Sequence, residues 1–252
     1  MRFTIIPVPY EETTSYGKGT KNGPAAILKA MEQVEAFDHE LLIDVTKQAN
    51  IQTLRPIGIR PLGDKVRQII KEDKIPIILG GEHSITPYVV QSMKEKYPDL
   101  SVLQLDAHAD LRDSYQGRKD SHACVMRRVL EICPAVQIGI RNISEQGYNF
   151  AKQTGQLRKI FFQSRKPDLA LLSDNVYITI DVDVFDPSVV SAVGTPEPGG
   201  MSWDEVVNLL KEVCAAKNVV GFDVVELSPR KGEIVSDFTV AKLIYKLIGL
   251  IS

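Results

Sequence analysis

Histidine and aspartate side chains recur at short spacing in three segments of the chain, and each segment directly follows an apolar run. His83 stands in Gly-Gly-Glu-His-Ser at 80–84, a second segment reads Asp-Ala-His-Ala-Asp at 106–110, and a third begins Asp-Val-Asp at 181. Together the segments contain six candidate metal ligands: His83, Asp106, His108, Asp110, Asp181 and Asp183. Imidazole nitrogen and carboxylate oxygen form a donor set that suits Mn²⁺, Fe²⁺, Co²⁺, Ni²⁺ or Zn²⁺.

The 106–110 segment carries the strongest of these signals. Its three ionisable side chains occupy alternate positions, so they point to one face if the chain continues as an extended strand. Carboxylates this close repel each other and raise each other's pKa unless positive charge lies between them. The alternative is a solvated loop, but the small alanine spacers favour metal ligation. His83 by itself would more often be a hydrogen-bonded structural residue.

The charge of the six-residue set indicates two cations. Its four aspartates carry four negative charges, which two divalent cations balance, whereas a single metal would leave the site strongly anionic. Asp186 lies close by but precedes Pro187. It is better interpreted as a turn former, because aspartate readily hydrogen-bonds its own backbone in such turns.

Two further residues each have a functional and a structural interpretation. His122 stands in Ser-His-Ala-Cys at 121–124, at the start of a predicted helix. It is either a capping or surface residue or, if its loop lies over the metals, a proton shuttle. Glu226 follows an apolar run and either binds a cationic group of a substrate or forms a salt bridge to an arginine or lysine.

The order of the elements predicts how these segments come together. Short apolar runs typical of buried parallel strands alternate with amphipathic helical stretches. This alternation predicts an α/β fold with a mostly parallel, doubly wound sheet and right-handed crossovers. Ligands bind at the carboxyl ends of the strands in such sheets. The predicted strands cover 3–7, 42–45, 76–79, 101–106, 135–138, 159–162, 175–181 and 219–225. The predicted helices cover 24–37, 62–72, 86–96, 123–132, 202–216 and 238–251.

Composition excludes several classes of protein. The hydrophobic and charged fractions, 44% and 25%, are ordinary for a globular chain. A net charge of -2 without a basic stripe argues against nucleic-acid binding. No apolar run reaches membrane-spanning length, and the start of the chain is too short and proline-rich for a signal peptide. Three cysteines without CxxC spacing indicate reduced thiols, so we expect a cytoplasmic, single-domain protein.

The motifs, taken in order, resemble those of the arginase–agmatinase (ureohydrolase) family over nearly the whole chain. The resemblance rests on the segments at 80–84, 106–110 and 181–187, on Gly-Thr-Pro-Glu-Pro-Gly-Gly at 194–200, and on Val-Glu-Leu-Ser-Pro at 225–229. It implies a single ureohydrolase-like catalytic domain over 1–252 with an arginase-like, three-layer α/β/α fold. It also implies two Mn²⁺ ions per subunit and a homotrimer or homohexamer.

The resemblance further implies a division of the ligands between the two metals. The first metal would be held by His83, Asp106, Asp110 and Asp181. The second would be held by Asp106, His108, Asp181 and Asp183. The aspartates common to both sets would bridge the metals.

Catalytic roles follow from the same resemblance. His122 matches the family's proton-transferring histidine, which would act on the same side of the site as Asp110, and Glu226 matches the carboxylate that binds the guanidinium group. One departure is Ser191, where family members usually carry proline, and this puts the rigidity of the adjacent substrate loop in doubt.

The substrate expected from the resemblance is agmatine, cleaved to putrescine and urea as in polyamine biosynthesis. The loop at 111–121 and the segment at 9–20 resemble those of agmatinases. However, the 111–121 loop has three basic and two acidic residues. If Arg112 or Arg118 faces the pocket, guanidinobutyrate or an arginase-type substrate with a carboxylate becomes the better interpretation.

Two other classes remain as alternatives. A metal-binding relative without catalytic activity would be expected to lack ligands or the proton shuttle, and this chain has all of them. A phosphoesterase would also use two metals, but it would normally have a phosphate-binding Gly-Lys motif, which the sequence lacks.

Overall fold

The computed structural model describes residues 1–162 and 167–252. The described strands, in chain order, are β1 (Arg2–Val8), β2 (Phe37–Asp38), β3 (Ile43–Asp44), β4 (Asn50–Thr53), β5 (Ile75–Gly80), β6 (Ser101–Leu105), β7 (Ala135–Ile140), β8 (Ile160–Phe162), β9 (Asn175–Asp181) and β10 (Asn218–Val225). The described α-helices are α1 (Gly23–Met31), α2 (Val45–Gln48), α3 (Leu62–Lys71), α4 (Thr86–Lys96), α5 (Val125–Leu130), α6 (Glu145–Thr154), α7 (Trp203–Ala216) and α8 (Val235–Ile251).

Eight of these strands form one sheet in the order β4-β1-β5-β10-β9-β6-β7-β8. Every pairing between neighbours in it is parallel. Parallel neighbours need crossover connections, and the helices between the strands supply them. The central strands are buried on both faces, as the continuous apolar runs of β5 and β9 predicted. The predicted doubly wound α/β architecture is therefore confirmed.

Two hydrophobic cores lie on opposite faces of the sheet. One contains Ile27 of α1, Val206 of α7 and Leu243 of α8. The other contains Val66 of α3 and Val89 of α4, together with residues of α5. Helices on both faces of one sheet make the three layers that the sequence predicted. Among the described residues, no helix is both long enough and apolar enough to span a bilayer.

The strand predicted over 42–45 is observed only as β3 (Ile43–Asp44), and it does not join the main sheet. β2 and β3 form a short antiparallel hairpin outside the main sheet, and α2 follows at once. Asp44 ends the strand because its side chain accepts hydrogen bonds from the backbone N–H groups of Thr46 and Lys47, which is an N-cap. The segment was predicted as a strand because it is a short apolar, β-branched run, but Asp44 caps a helix and so ends the strand.

Besides the short elements β2 and α2, β4 and α6 were not predicted. β4 is an edge strand with mostly exposed polar residues, so it lacks the apolar pattern that marks a buried strand. α6 is mostly polar and buries only Gly147 and Ala151. Its ends nevertheless carry recognisable signals, since Ser144 caps the first turn and Gly155 ends the helix in the left-handed conformation.

Candidate active site

The candidate ligands meet at the carboxyl ends of β5, β10, β9 and β6, which are neighbours at the centre of the sheet. His83 begins a 3-10 turn just beyond β5, and the 106–110 segment follows β6. Asp181 is the last residue of β9 and Glu226 follows β10. Because these strands are parallel neighbours, their carboxyl ends bring the polar segments together at one edge of the sheet, as expected.

His83 is oriented as a metal ligand would be. Its Nδ1 atom lies 3.2 Å from Asp106 Oδ2, 3.3 Å from Asp110 Oδ2 and 3.6 Å from an oxygen of a third aspartate, Asp181. This nitrogen is buried and has no partner in hydrogen-bond geometry among the described residues. A buried ring nitrogen that faces three carboxylates without hydrogen-bonding to them fits a ligand of a cation held between the ring and the carboxylates.

A hydrogen bond at the other ring nitrogen of His83 determines which nitrogen of the neutral ring carries the proton. His83 Nε2 lies 2.8 Å from Thr179 Oγ1, and that hydroxyl donates its only proton to Asp223 Oδ1 at 2.5 Å. The hydroxyl must therefore accept from an Nε2–H group. The lone pair of the neutral ring is thus left on Nδ1, facing the carboxylates, as metal ligation requires.

A second group of donor atoms adjoins the first. Asp106, His108 and Asp183 each place a ligand atom within 4.8 Å of the others, as do His83, Asp106 and Asp110. His108 Nδ1 is 2.8 Å from Asp183 Oδ2 and 3.7 Å from Asp106 Oδ1. Asp106 belongs to both groups and presents a different oxygen to each. Two adjoining sites that share one carboxylate fit the donor pattern of a binuclear centre.

Asp181 and Asp183 are held by short-range hydrogen bonds. Asp181 Oδ1 accepts from the backbone N–H of Asp183, and Asp183 Oδ1 accepts from that of Ala107. Asp181 lies outside both compact groups of donor atoms and reaches the centre through the oxygen that faces His83. The structure brings all six predicted ligands to one place, and the bridging role of Asp181 stays a prediction.

The two imidazoles lie in a strongly negative field. Burial disfavours the charged form of His83, yet Asp106 and Asp110 outweigh it and raise the pKa of the ring well above its usual value. Burial is likewise outweighed at His108, where Asp183 and Asp106 raise the pKa to about 12. Both rings respond as they would to any excess of nearby carboxylate.

The excess of negative charge also shifts the pKa values of the aspartates. Burial raises the pKa of Asp181 well above normal, and the charges of Asp183 and Asp106 add to the effect. Burial and Asp106 also raise the pKa of Asp183. At Asp106 itself, burial is outweighed by His108 and His83, and its pKa is lowered. The cluster holds more negative charge than its own two rings can neutralise.

Two site residues adopt unusual backbone conformations. Asp110 has φ 50° and Glu226 has φ 67°, both in the left-handed region that non-glycine residues seldom occupy. Strained conformations of this kind persist where the surrounding structure fixes them, and they cluster at functional sites.

A cavity of about 240 Å³ opens beside the cluster. Its lining includes His83, Asp110 and Asp181 from the cluster, together with His122 and Glu226. His122 therefore faces the cavity, although it also opens a 3-10 turn capped by the Ser121 side chain.

Glu226 is anchored by the backbone of His83, one of the candidate metal ligands. Its Oε1 atom accepts the backbone N–H of His83 at 2.7 Å, and burial raises its pKa to about 8. Glu226 and His83 are thus joined by a hydrogen bond, and both line the same cavity. A carboxylate in this position can receive a cationic group held over the cluster.

Several residues that line the cavity have no role predicted from the sequence. Glu197 lies 3.6 Å from His108 Nε2 and accepts a hydrogen bond from Asn142 at 2.5 Å. Ser15, from the N-terminal segment, lies 3.3 Å from His122 Nε2. Glu197 lies within the 194–200 motif and Ser15 within the agmatinase-like segment at 9–20, whereas Asn142 lies outside every recognised motif.

The two arginines on which the substrate prediction depended are placed differently. Arg112 lines the cavity, and its guanidinium carbon lies 5.2 Å from the centre of the Tyr115 ring. Arg118 is absent from the lining and forms an ion pair with Asp120 at 2.9 Å. The basic character of the loop therefore reaches the cavity through Arg112.

The loop after β9 is fastened by side chains. Asp186 accepts from the backbone N–H and hydroxyl of Ser188, as a turn former does, and also from the N–H groups of Gly199 and Gly200. Ser191 uses its backbone N–H as a donor to the Ser236 hydroxyl. A proline there could not make this bond, so the departure at this position is matched by a specific contact.

Fold and site together define a class: a parallel α/β/α protein with an acidic, histidine-containing centre at the carboxyl edge of its sheet. The sequence model described as the arginase family matches residues 1–249, and the chain belongs to the arginase family. It is thereby an agmatinase-like hydrolase acting on C–N bonds of linear amidines, which confirms the enzyme class predicted from the sequence.

Individual relatives match over almost the full length. An N(1)-aminopropylagmatine ureohydrolase from Synechocystis sp. is 36% identical over 97% of this chain and 87% of its own length. An agmatinase from Pyrococcus horikoshii is 36% identical, covering 98% of this chain and 91% of its own. The crystal structure of an agmatine ureohydrolase of Thermoplasma volcanium has a TM-score of 0.84 at 31% identity, over 99% of this chain and 89% of that chain. These matches confirm the arginase-like fold.

Proposed function

We propose that this chain is a binuclear metal hydrolase that cleaves a linear, amine-terminated guanidine such as agmatine to urea and an amine. The observation that carries the proposal is one cavity in which Glu226 faces the cluster of histidines and aspartates. Agmatine would yield putrescine, which connects the chain to polyamine biosynthesis.

Two divalent cations, Mn²⁺ by family resemblance, fit the donor set described above. The lone pair of His83 and the shared carboxylate of Asp106 support ligation, and the four aspartates match the charge of two such ions. The proposed ligands remain His83, Asp106, His108, Asp110, Asp181 and Asp183. Such cations supply Lewis acidity and a nucleophilic water at neutral pH. Co²⁺, Ni²⁺, Fe²⁺ or Zn²⁺ would suit the same donors.

Glu226 binds and orients the guanidinium group in this proposal. A carboxylate and a guanidinium form paired, charge-assisted hydrogen bonds, which fix orientation as well as position. The hydrogen bond from the His83 backbone leaves Glu226 anchored relative to the metal ligands. Holding the planar cation in one place over the cluster contributes to rate by positioning.

His122 exchanges protons at the other side of the cavity. Its Nε2 atom lies 3.3 Å from Ser15 Oγ, and its ring lines the same cavity as Asp110. The amine that leaves when the C–N bond breaks needs a proton, and a histidine suits this step because its usual pKa is close to neutral.

The charge of the lining favours a cationic tail on the substrate. Apart from the metal-ligand set, the cavity is lined by two carboxylates, Glu226 and Glu197, and by one arginine, Arg112. Glu226 is assigned to the guanidinium group, which leaves Glu197 for a distal ammonium. The names of the relatives, agmatinase and N(1)-aminopropylagmatine ureohydrolase, support both agmatine and its aminopropylated form.

A guanidino acid is the second candidate, because Arg112 lines the cavity. Its guanidinium could pair with the carboxylate of guanidinobutyrate or of an arginase-type substrate. A metal-binding relative without catalysis is the third and most distant reading.

A direct comparison of substrates tests the proposal. Urea release by the Mn²⁺-loaded protein is measured with agmatine, N(1)-aminopropylagmatine, arginine and guanidinobutyrate, with His122→Asn as the catalytic control. We expect the two amine-terminated guanidines to give the highest kcat/KM. A preference for guanidinobutyrate would replace the first candidate by the second. Metal binding without urea release from any of the four would reject the enzymatic proposal.

Two further expectations remain predictions. A homotrimer or homohexamer follows from the family resemblance, and sedimentation equilibrium measures it. A cytoplasmic location rests on the sequence features described above, and fractionation of the source cells tests it.

A further inference from the structure

An N-terminal strap, defined here as residues 10–20, crosses from β1 to the cavity and contacts the catalytic histidine. Its backbone approaches β5 so closely that a Cβ atom on Gly81 would lie 2.0 Å from Tyr10 O. The strap is tied to the sheet there, since Glu82 N donates to Tyr10 O at 2.9 Å. The glycine therefore permits the contact that brings the strap over the site.

Glu82 accepts four hydrogen bonds, three of them from the strap and one from Ser84. Its Oε2 atom accepts the backbone N–H groups of Glu12 and Thr13, each at 2.7 Å. Its Oε1 atom accepts the hydroxyls of Thr13 at 2.7 Å and Ser84 at 2.6 Å. The side chain is fully buried, so these four donors replace water around a buried carboxylate.

The Thr13 hydroxyl is saturated by this arrangement. It has one proton, which it donates to Glu82, and two lone pairs. One lone pair accepts the backbone N–H of His122 at 2.9 Å. The other faces His122 Nδ1 at 3.2 Å. Because the hydroxyl has no second proton to give, it can satisfy Nδ1 only by accepting a hydrogen bond from it.

We infer that Thr13 is a positioning residue that, held by Glu82, keeps neutral His122 in its Nδ1–H form and turns Nε2 toward the cavity. The lone pair that exchanges protons with the substrate is then always on the nitrogen beside Ser15. Ser121 Oγ also lies near Nδ1, at 3.4 Å, and accepts a hydrogen bond from Ala123 N. The Thr13 hydroxyl is nearer to Nδ1, at 3.2 Å, and its proton is already donated to Glu82. This inference rests on the proposed role of His122 in catalysis, although the tautomer itself can be measured without turnover.

The first test is spectroscopic and uses the unaltered protein. With ¹⁵N-labelled histidine and diamagnetic Zn²⁺ in the metal site, long-range ¹H–¹⁵N spectra report which ring nitrogen carries the proton. The chain has four histidines, and His122→Asn identifies the relevant signals. We expect His122 to be protonated at Nδ1 at a pH where the ring is neutral. A neutral ring protonated at Nε2 would overturn the inference even if every catalytic proposal held.

The second test compares three substitutions. Thr13→Val keeps the shape but removes the hydroxyl, Thr13→Ser keeps the hydroxyl, and Thr14→Val is a matched control next in the chain. We expect Thr13→Val to populate both tautomers and to lower kcat by about 10- to 100-fold, which reaches only the lower end of the roughly 100- to 10,000-fold typical of general acid–base catalysis. KM and bound metal should stay within about two-fold, and the serine variant should recover most of kcat.

The double variant completes the test. If Thr13 acts through His122, Thr13→Val should slow His122→Asn no further, because residues that act as a unit are not additive. A valine variant with unchanged tautomer and kcat would overturn the inference, as would a serine variant as slow as valine. Failure of all variants and of the parent to release urea would reject the proposed function instead, and the tautomer measurement would still stand.

Discussion

Two clusters of acidic side chains, one mostly buried and one with only Asp38 buried, differ in how their charge is balanced. In the hairpin clip, defined as Asp38 and Glu40 around Lys246, the amine lies 2.6 Å from Asp38 Oδ2 and 2.5 Å from Glu40 Oε2. Lys211 adds a second bond to Glu40 at 2.9 Å. The carboxylates of the clip have their own cations.

The pKa values of the clip acids shift in the opposite direction to those of Asp181 and Asp183 in the metal-ligand cluster, where only Asp106 among the shifted carboxylates is lowered. Burial raises the pKa of Asp38, but Lys246 outweighs it and lowers the pKa below its usual value. Lys246 and Lys211 lower that of Glu40 to about 2. In the metal-ligand cluster, by contrast, the pKa values of Asp181 and Asp183 are raised. The carboxylates of the clip are balanced by lysines of the same chain and so stabilise the fold. The excess of carboxylate in the metal-ligand cluster instead supports the proposed binding of divalent cations.

The largest expected effect comes from breaking the unbalanced cluster at its shared ligand. Asp106→Ala removes a donor from both groups and should reduce metal content and kcat/KM by more than about 100-fold, beyond the loss typical of outer partners. Metal is measured by elemental analysis and by titration calorimetry. Asp174→Asn, at an exposed position, is the control. Retention of two tightly bound metals by the alanine variant would show that the shared carboxylate does not bridge them.

A smaller effect should follow from freeing the ring of His83. Thr179→Val removes the acceptor of the Nε2–H group, so the lone pair no longer stays on Nδ1. We expect metal affinity to fall about 10- to 100-fold, as for other partners of metal-bound histidines. Thr179→Ser keeps the hydroxyl and should bind metal almost as well as the parent. Equal affinities for valine and serine variants would contradict the tautomer argument.

Removing the lysine of the hairpin clip should lower the stability of the fold and leave catalysis unchanged. Lys246→Met leaves Asp38 buried without its cation, and breaking a buried pair in this way costs about 3 kcal/mol. The free energy of unfolding in urea measures the loss. We expect kcat and metal content of the folded variant to be unchanged. A variant as stable as the parent would show that the clip contributes little, and that its balance of charge is incidental.

The smallest effect is the pH dependence of that loss. Asp38 and Glu40 bind protons at lower pH in the folded clip than in the unfolded chain, so stability decreases as pH falls. For Glu40 the window runs from about 4.5 down to about 2. The stability difference between parent and Lys246→Met should therefore shrink as pH is lowered through this window. The metal-ligand groups titrate in both proteins and cancel in the difference, and a constant difference would contradict the assignment.

The sequence revealed the residues whose spacing is local and concealed those whose contacts are long-range. Asp106, His108 and Asp110 were recognisable because alternate positions after an apolar run have few structural explanations. Thr13 is 109 positions from His122 in the chain, and a threonine has no signature of its own. Only the folded sheet brings the strap across β5 to the histidine.

The same limit applies to the fold. The doubly wound sheet was predictable because buried parallel strands have continuous apolar runs. The 42–45 segment is a short apolar run, as in a strand, yet the capping side chain of Asp44 ends that strand after two residues. Glu197 lay within a recognised motif, but its role depended on the approach of Asn142 and His108, which no spacing indicates.

The position of β10 has a consequence for how the chain folds. β10 follows every other described strand in the chain, yet it lies between β5 and β9. Without it, β1, β4 and β5 pair on one side and β6 to β9 on the other, so that His83 follows the first group and the aspartates follow the second. We therefore expect the proposed metal centre to be complete only after β10 has paired between the two groups.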